Sequence, residues 1–423
     1  MARTLAVLGS DKLVTTTNAV LTEVFTGFIP DEVVVLSETA HKKDISPLSE
    51  LVSMFSDAKV KLREEVVGKG VESWREKVSS LNVDVADVTP GRKYMAVAVY
   101  TYSKANEVRY VFLEKESEGY RVFGYAPFNE VKVFNLRTGR DVPFSPPHVK
   151  RCGSEVSYLS NDGLRALINV YSLLGKVGLI IDGEEVSLEE LTDLINRNRY
   201  GGGMEANTYE LCAIRSGLLV FKEEDEVRKK VDCNTFFVAD TNVYVSLGNR
   251  IGLITYSKDH GRRLIPTRSV FNEIEDKLGT TQKGDEKLKV FQLASLSFRS
   301  LHAPPISSNV SSSGDTSFIK ETGSLKALLP HVVMVTRDQG VARSAQGKGI
   351  EVVLLKDLVR GSLEGIGEFI NCLSLMGKKV RLTLNGEEEA IIESQVTASD
   401  RVKVKDKLKY ACVIERVEEF IRS

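Results

Sequence analysis

The chain has 423 residues, of which 42% are hydrophobic and 27% are charged, a composition of folded globular proteins rather than of disordered or fibrous ones. At roughly 150 residues per domain, this length predicts about three structural units. The 57 basic residues nearly balance the 58 acidic residues, so the net charge of -1 excludes a global attraction to nucleic acid or membrane. Any contact with nucleic acid is therefore expected at local basic patches.

The cysteines and the apolar runs predict the cellular compartment of the protein. None of the five cysteines belongs to a CxxC pair, which argues against a zinc site or a disulfide framework and favours buried free thiols in a reducing cytoplasm. They are Cys152, Cys212, Cys233, Cys372 and Cys412. No stretch reaches the roughly 18 apolar residues of a membrane span, and the N-terminal apolar run is too short for a signal peptide. We therefore expect a cytoplasmic protein without a membrane partner.

Residues 1–145 alternate between strand-like and helix-like segments. The apolar runs are Thr4–Leu8, Val33–Leu36 and Met95–Tyr100, and the helical stretches are Thr17–Phe28 and, as more than one helix, about Ile45–Leu81. Strands separated by helices predict an α/β fold, with a parallel sheet and helices on its faces. Two further runs, Tyr110–Glu114 and Gly119–Tyr125, predict a hairpin at the sheet edge.

Two turns in this segment carry groups suited to a phosphate or a ribose. The first follows the first strand and supplies hydroxyls and backbone donors, and the second places two cations beside a glycine, just before an apolar run. The candidate ligand-binding residues are Ser10, Asp11, Thr15, Thr16, Thr17, Asn18, Thr89, Gly91, Arg92 and Lys93. The same residue types also cap helices and form ordinary turns, so the structural alternative stays open.

Residues 146–232 differ in pattern from what precedes them. A helix is predicted over Gly163–Leu174, a strand pair around Val177–Ile181 with Asp182-Gly183 at its turn, and a second helix over Leu188–Arg197. These elements predict a small helical or winged-helix-like linker domain.

Two aspartates come directly after apolar strands. Asp240 follows Phe236–Ala239, and Asp338 follows the strand that begins at Val332. Ligands of an open parallel sheet bind in the crevice at the carboxyl ends of its strands. The two aspartates can therefore face one site if their strands are neighbours.

Two further acids lie near helix starts between these strands. Pro266 and Thr267 signal the start of a helix with Val270, Ile274 and Leu278 at a spacing of four, and Glu273 lies beside that buried stripe. Asp315 stands in the first turn of a later helix, near the positive end of the helix dipole.

Four carboxylates brought together would repel one another unless hard cations neutralise them. The set therefore predicts Mg²⁺ or Mn²⁺, which take oxygen ligands and, as a pair, can activate a water and stabilise the leaving oxygen of a phosphodiester. Any one of the acids alone is more often a helix cap or a surface charge. Their ordered spacing along the chain is what favours a metal site.

The stretch from about Asn234 to Leu355 resembles the PIN nuclease family. The family pattern is a DTN after the first strand, a Glu in a following helix, a GD that opens a later helix, and a TxD after a strand. The matching residues here are Asp240-Thr241-Asn242, Glu273, Gly314-Asp315 and Thr336-Arg337-Asp338. The resemblance implies that the four acids bind one or two divalent ions and hydrolyse single-stranded RNA. This chain departs from the pattern by the insertion Lys283–Ser313, and Glu275 is an alternative to Glu273.

The first 140 residues or so resemble the CARF domain. That family has a Ser- or Thr-rich turn after its first strand and a T-x-G-x-K-x-M-type turn, which is matched here by Thr89, Gly91, Lys93 and Met95, with Pro90 in place of a frequent Gly. The resemblance implies a Rossmann-like sensor of the cyclic oligoadenylates made by type III CRISPR complexes. It also implies a homodimer, since CARF domains cradle the ligand across a two-fold axis.

A local basic run flanks the helix that carries Glu273. It comprises Arg262, Arg263 and Arg268 before Glu273 and Lys283, Lys287 and Lys289 after the helix. Because the chain has no net positive charge, this run is the best candidate for an RNA-binding track. The alternative is a solvated helix face that pairs with nearby acidic residues.

Together these patterns predict a sensor domain over residues 1–145, a linker domain over 146–232, a PIN-like α/β nuclease domain with a parallel sheet over 233–360, and a C-terminal extension over 361–423. The extension contains a hairpin that turns at Asn385-Gly386. The leading hypothesis is a homodimeric, metal-dependent endoribonuclease of CRISPR antiviral defence, allosterically activated by cyclic oligoadenylate. Two alternatives are a ligand-responsive transcription regulator with a winged-helix linker, and a ring nuclease that degrades its own activator.

Overall fold

The computed structural model describes residues 3–200, 204–282, 285–301, 313–394 and 401–422. It is a mixed α/β protein, as the sequence predicts, and divides into two compact units. The first unit consists of residues 1–188, 380–393 and 400–423, and the second of residues 189–379 and 394–399.

The elements of residues 3–188 begin the first unit. The strands are Thr4–Leu8 (β1), Glu32–Ser37 (β2), Lys61–Val66 (β3), Val85–Asp87 (β4), Glu107–Leu113 (β5), Val131–Asn135 (β6), Arg140–Asp141 (β7), Val156–Leu159 (β8), Val177–Ile181 (β9) and Glu184–Ser187 (β10). The α-helices are Leu13–Phe25 (α1), Pro47–Ser53 (α2), Val71–Ser80 (α3), Lys93–Tyr102 (α4) and Asn161–Leu174 (α5), and Glu116–Tyr120 and Phe128–Glu130 are 3-10 helices.

The elements after residue 188 form the second unit and then complete the first. The helices of the second unit are Leu191–Tyr200 (α6), Met204–Ser216 (α7), Glu224–Lys229 (α8), Thr241–Leu247 (α9), Arg250–Ile254 (α10), Arg268–Thr280 (α11), Glu286–Ser300 (α12), Asp315–Leu328 (α13), Gln339–Gly347 (α14) and Ile366–Leu375 (α15). Its strands are Leu219–Phe221 (β11), Thr235–Ala239 (β12), Tyr256–Ser257 (β13), Gly261–Arg262 (β14), His331–Thr336 (β15), Glu351–Leu354 (β16) and Leu358–Arg360 (β17). The chain then returns to the first unit with Val380–Leu384 (β18), Glu387–Glu393 (β19), Val402–Asp406 (β20) and Tyr410–Arg422 (α16).

A seven-stranded sheet, in the order β3-β2-β1-β4-β5-β6-β7, organises residues 3–141. The strands from β3 to β5 are parallel, and β6 and β7 add antiparallel to the edge. All five residues of β1 are buried, because helices cover both faces of a parallel sheet. The chain turns to β2 on one side of β1 and to β4 on the other. The carboxyl ends of β1 and β4 therefore form a topological switch point, where ligands bind in folds of this kind.

Three predictions for this sheet were wrong. Met95–Tyr100 lies in helix α4, where Met95 and Val99 are buried while Val97 is 62% exposed, a spacing of three to four that fits a helix rather than a strand. The stretch Ile45–Leu81 contains β3 besides two helices, because this charged strand shows no apolar run. Gly119–Tyr125 is not a strand, and β5 pairs with β6 instead.

The first unit also contains a six-stranded sheet in the order β10-β9-β18-β19-β20-β8, with antiparallel pairs throughout. Helices α5 and α16 pack on it. The two predicted turns are confirmed, because Asp182-Gly183 and Asn385-Gly386 join β9 to β10 and β18 to β19 with positive φ angles at all four residues. Residues 156–187, expected in a separate linker domain, thus share a sheet with residues 380–406.

In the second unit, β12, β15 and β16 form a three-stranded parallel sheet with β15 in the middle. Strand β12 leads into Asp240, and β15 ends two residues before Asp338. The two strands are hydrogen-bonded neighbours, so the two aspartates follow adjacent parallel strands.

The cysteines differ from expectation. Cys152 pairs with Cys412 in the first unit and Cys212 with Cys372 in the second, so the prediction of free thiols was wrong for these four, and only Cys233 is a free, exposed thiol. The partners lie 260 and 160 residues apart, and such separations leave no spacing signal in a sequence. The cysteine pattern therefore no longer supports a reducing compartment. Among the described residues, no helix is both long and apolar enough to cross a membrane.

Candidate functional site

Asp240 is the most buried of the four predicted acids, with 6% of its surface exposed. Its Oδ1 accepts a hydrogen bond from the Val243 N–H at 2.8 Å, which caps helix α9, and the Thr336 hydroxyl donates to its Oδ2. Burial raises the pKa of Asp240 to about 6 against these two hydrogen bonds, and the negative charges of Asp315 and Glu273 add to the rise.

Glu273 lies on α11 and is tied to the helix that Asp240 begins. The Thr241 hydroxyl donates to Glu273 Oε2 at 2.8 Å, so the threonine of the DTN motif holds the second acid. The alternative residue, Glu275, is exposed and forms an ion pair with Arg299 at 3.6 Å. Of the two glutamates, only Glu273 is linked to the strand end that carries Asp240.

The other two acids stand at helix starts. Asp315 is exposed in the first turn of α13, close enough to Asp240 to act on its charge. Asp338 is exposed and caps α14, because its Oδ1 accepts from the N–H groups of Gly340 at 2.6 Å and Val341 at 2.9 Å. Its own N–H donates to Thr336 Oγ1 at 2.9 Å, so Thr336 links it to Asp240.

The arrangement is partly assembled. The negative charges of Glu273 and Asp315 act on Asp240, and Thr336 links Asp338 to Asp240. Across the part of the chain that the structure describes, no group of three acidic, histidine or cysteine side chains is gathered closely enough to hold a metal ion. Mg²⁺ is nevertheless commonly held by one or two carboxylates and several waters. Asp240 is a buried carboxyl on which the charges of two other acids act, and it offers the oxygen ligand that a hard divalent cation takes.

Two neighbours of Asp240 were not predicted to be part of the metal site, although one of them, Arg337, lies within the TxD motif. The Tyr244 hydroxyl is buried without a hydrogen-bond partner in the described residues, and burial together with the Asp240 charge raises its pKa. Arg337 donates to the Ser246 hydroxyl at 3.0 Å, and burial lowers its pKa. Both follow a motif residue within four positions, which is the only sequence signal that points to them.

The predicted RNA-binding arginines have different surroundings. Arg262 and Arg268 are exposed, and the Arg262 guanidinium also donates to the Leu301 carbonyl at the end of α12. Arg263 is half-buried with its guanidinium 5.2 Å from the centre of the Phe236 ring. Among the lysines, Lys287 is exposed, Lys289 donates to the Met376 carbonyl at 3.0 Å, and Lys283 lies outside the described residues.

A cleft of about 570 Å³ lies in the first unit, where β1, β2 and β4 end. Both turns expected to bind a ligand contribute to it. The candidate residues that line it are Ser10, Asp11, Thr15, Thr89, Gly91 and Arg92. A side chain at Gly91 would collide with Leu8, so glycine lets the second turn pack against the end of β1. The structure thus brings together the two turns that the sequence placed 80 residues apart.

The remaining candidates do not line the cleft. Thr16 is buried and its hydroxyl accepts from the Ser10 N–H at 3.0 Å, while the buried Thr17 hydroxyl donates to the Leu13 carbonyl at 2.9 Å. The Asn18 amide donates to the carbonyls of Gly119 and Arg121. Lys93 is exposed in the first turn of α4. Thr16, Thr17 and Asn18 therefore hold the walls of the cleft rather than face its interior.

Several cleft residues were missed by sequence reasoning. They are Lys12, Glu38, His41, Tyr110, Phe112 and Tyr120, among others. Lys12 Nζ lies 3.7 Å from the centre of the Tyr120 ring, and His41 lies between Glu64 Oε1 at 2.6 Å and the Ser10 carbonyl at 3.2 Å. Glu38 follows the end of β2, so the rule that ligands bind at the carboxyl ends of parallel strands would have found it.

A scan against protein-family models and a search of curated proteins found no match for this chain. The resemblance to the PIN and CARF families therefore rests on the sequence motifs.

Proposed function

We propose that this chain is a metal-dependent endoribonuclease of CRISPR antiviral defence, activated by cyclic oligoadenylate. The observation that carries the proposal is Asp240, a buried carboxyl at the end of a parallel strand whose pKa is raised by burial and by two further predicted acids. Such a group is costly to keep ionised, and a divalent cation is the partner that offsets that cost.

In this proposal Asp240, Glu273, Asp315 and Asp338 would hold Mg²⁺ or Mn²⁺ with the help of water. Such an ion would supply positive charge next to the attacking water and the leaving oxygen of the phosphodiester. Thr336 and the Val243 N–H orient Asp240, and Thr241 orients Glu273. The exposed arginines Arg262 and Arg268 attract the phosphates of single-stranded RNA.

The first unit is the sensor in this proposal. Its cleft lies at the switch point of the sheet, and Lys12 and Arg92 provide cations for the phosphates of cyclic oligoadenylate. A homodimer would cradle one cyclic ligand across its two-fold axis, as the CARF resemblance implies. In this proposal the chain acts in the cytoplasm. Disulfides such as these persist in that compartment mainly in hyperthermophiles.

The test is cleavage of labelled single-stranded RNA by the full chain, with and without cyclic oligoadenylate, in Mg²⁺, Mn²⁺ or EDTA. We expect Asp240→Asn to lower the cleavage rate about a hundredfold or more, since a metal ligand is lost without a change in volume. Glu273→Gln is expected to act likewise, whereas Glu275→Gln, two positions along the same helix, serves as the matched control.

Near-normal cleavage by the Asp240→Asn and Glu273→Gln variants would contradict the assignment of these acids to the active site.

The same assay distinguishes the endoribonuclease from the two alternative functions. Specific binding of duplex DNA without RNA cleavage would identify a transcription regulator, and conversion of the cyclic ligand to linear oligoadenylate would identify a ring nuclease.

A further inference from the structure

Glu38 occupies a distinctive position in the cleft. It is the first residue after β2, the strand next to β1 in the parallel sheet, and it lines the cleft together with Ser10 and Gly91. Its side chain is 12% exposed, so the carboxylate lies in the wall of the cleft rather than in open solvent.

Two groups of the second turn hold this carboxylate from one side. The Tyr94 hydroxyl donates to Glu38 Oε1, and Arg92 Nε lies 3.3 Å from Glu38 Oε2. A carboxylate has about four acceptor positions on its two oxygens. Two donors therefore leave acceptor capacity for a ligand in the cleft.

We propose that Glu38 reads the ribose 2′-hydroxyl of the nucleotide bound in this cleft and makes the site selective for ribonucleotide ligands. The inference rests on the sensor role proposed above. In doubly wound sheets that bind dinucleotides, an acidic residue about twenty positions beyond the phosphate turn accepts the ribose hydroxyl. In a cyclic oligoadenylate with 3′–5′ linkages every ribose keeps a free 2′-hydroxyl, the group by which proteins tell RNA from DNA.

The competing role for Glu38 is to hold Arg92 and nothing more. Arg92 is 66% exposed, and an ion pair with a mostly exposed arginine stabilises little. A carboxylate placed in a phosphate-binding cleft also repels the ligand's phosphates. A hydrogen bond from a ribose hydroxyl explains why Glu38 lies in the wall of the cleft. This charge-assisted bond outweighs the repulsion between Glu38 and the phosphates only for a ligand that has the hydroxyl.

The experiment measures the affinity of the full chain for a cyclic oligoadenylate and for its all-2′-deoxy counterpart of the same ring size, by calorimetric titration. The parent protein is expected to bind the deoxy ring roughly 10- to 100-fold more weakly, which is the effect of one hydrogen bond to a charged group. Glu38→Ala should bring the two affinities to within about threefold of each other, since the acceptor is gone.

Two control variants separate this role from general charge effects. Glu116→Gln removes an exposed carboxylate from the same cleft and should keep the preference for the ribose ring. Arg92→Ala should weaken both rings and keep the ratio, because Glu38 is still present.

Equal binding of the two rings by the parent protein would overturn the proposal, and so would a Glu38→Ala variant that weakens both rings by the same factor. The second result would assign Glu38 to holding Arg92. Failure of the parent to bind either ring would instead remove the sensor function itself, together with this inference.

Discussion

Asp240 combines a buried carboxyl with two hydrogen-bond donors and two negative neighbours. Without a cation, the pKa of Asp240 in the folded protein is about 6, compared with a usual value of 3.8. The protonated Asp240 side chain makes its full favourable contribution to the free energy of unfolding below pH 3.8, and this contribution is lost as the pH rises through 6. Asp240 therefore destabilises the metal-free protein at neutral pH.

Asp240→Asn is expected to raise the free energy of unfolding of the metal-free protein at pH 8 by up to about 3 kcal/mol, because the cost of the buried charge disappears. The gain should shrink as the pH falls and vanish below about pH 4. Chemical unfolding in EDTA across this pH range measures it. Asp276→Asn, an exposed residue on α11, should show no gain at any pH, and a gain of equal size there would show that Asp240 is not the cause.

The second prediction concerns RNA binding by the arginines near the four acids. Charge reversal at Arg262 and Arg263 should weaken RNA binding and flatten its salt dependence, because fewer counterions are released on binding. Each lost phosphate contact should lower the slope of log affinity against log salt by about 0.7 for single-stranded RNA.

Fluorescence anisotropy at several salt concentrations measures this slope, with thermal unfolding as a check because Arg262 also binds the Leu301 carbonyl. Arg360→Glu, an exposed residue on β17, is the control. An unchanged slope in the Arg262 and Arg263 variant would move the search for the track to Arg337 and Arg343.

The site residues that sequence reasoning found are those with a local signal. Asp240 follows an apolar strand directly, and Asp315 follows a glycine that begins a helix, so each is marked by its neighbours. Tyr120 carries no such mark, because its role depends on which strand ends meet at the cleft, whereas Glu38 was overlooked although it directly follows the apolar strand β2. That meeting is set by the strand order of the sheet, which neighbouring residues do not encode.

At the scale of elements, helices α11 and α13 are joined by Glu321. This residue of α13 is 1% exposed, and its carboxylate accepts from the N–H groups of Arg268 at 2.9 Å and Ser269 at 2.8 Å. It thereby caps the start of α11 from a neighbouring helix. Since α11 carries Glu273 and α13 carries Asp315, Glu321 links the two helices on which these predicted metal ligands lie.

Glu321→Ala is expected to lower the free energy of unfolding by about 1 to 2 kcal/mol through loss of the cap. If α11 shifts, the concentration of Mn²⁺ that half-saturates cleavage should rise as well, while RNA affinity stays close to that of the parent. Glu321→Gln, which keeps an acceptor, should restore part of both effects.

The control for Glu321 is Lys320→Gln, an exposed change on the same helix. Titration of cleavage with Mn²⁺ gives the decisive comparison. A Glu321→Ala protein that is less stable but has the parent's Mn²⁺ requirement would show that the cap holds the fold and not the site.

The elements themselves were predicted where apolar patterning is strong. Strands β1, β2, β12 and β15 are continuous apolar runs, and they were found within one or two residues. Helix α4 was mistaken for a strand because its sequence is apolar on most sides, and β3 was missed because it is charged. Tertiary contacts, rather than local preference, decide both.

At the scale of the whole molecule, the sequence could not show that the first unit is discontinuous. Strand β9 pairs with β18, and β8 pairs with β20, across the residues that form the second unit. Hydrophobic patterning shows which face of a strand is buried but not which strand lies beside it. The same limit hid the two disulfides, whose partners meet only after folding.

Each unit is closed by one disulfide, and reduction tests what that contributes. Loss of the Cys152–Cys412 bond through Cys412→Ser is expected to lower the free energy of unfolding by about 2 to 5 kcal/mol, because the cross-link restricts the unfolded chain. Thermal unfolding with and without a reducing agent measures it. Cys233→Ser, a change at the unpaired thiol, is the control. If neither Cys412→Ser nor the reducing agent changes the unfolding temperature, the Cys152–Cys412 bond does not form.

The discontinuity of the first unit also has a consequence for synthesis. A ribosome releases β8, β9 and β10 long before β18, β19 and β20, and the whole of residues 189–379 emerges in between. During that interval β8 has no partner and β9 has one open edge, and unpaired strand edges recruit strands from other chains. A chain whose translation stalls after residue 379 is therefore exposed to aggregation through the strands that its final residues would have covered.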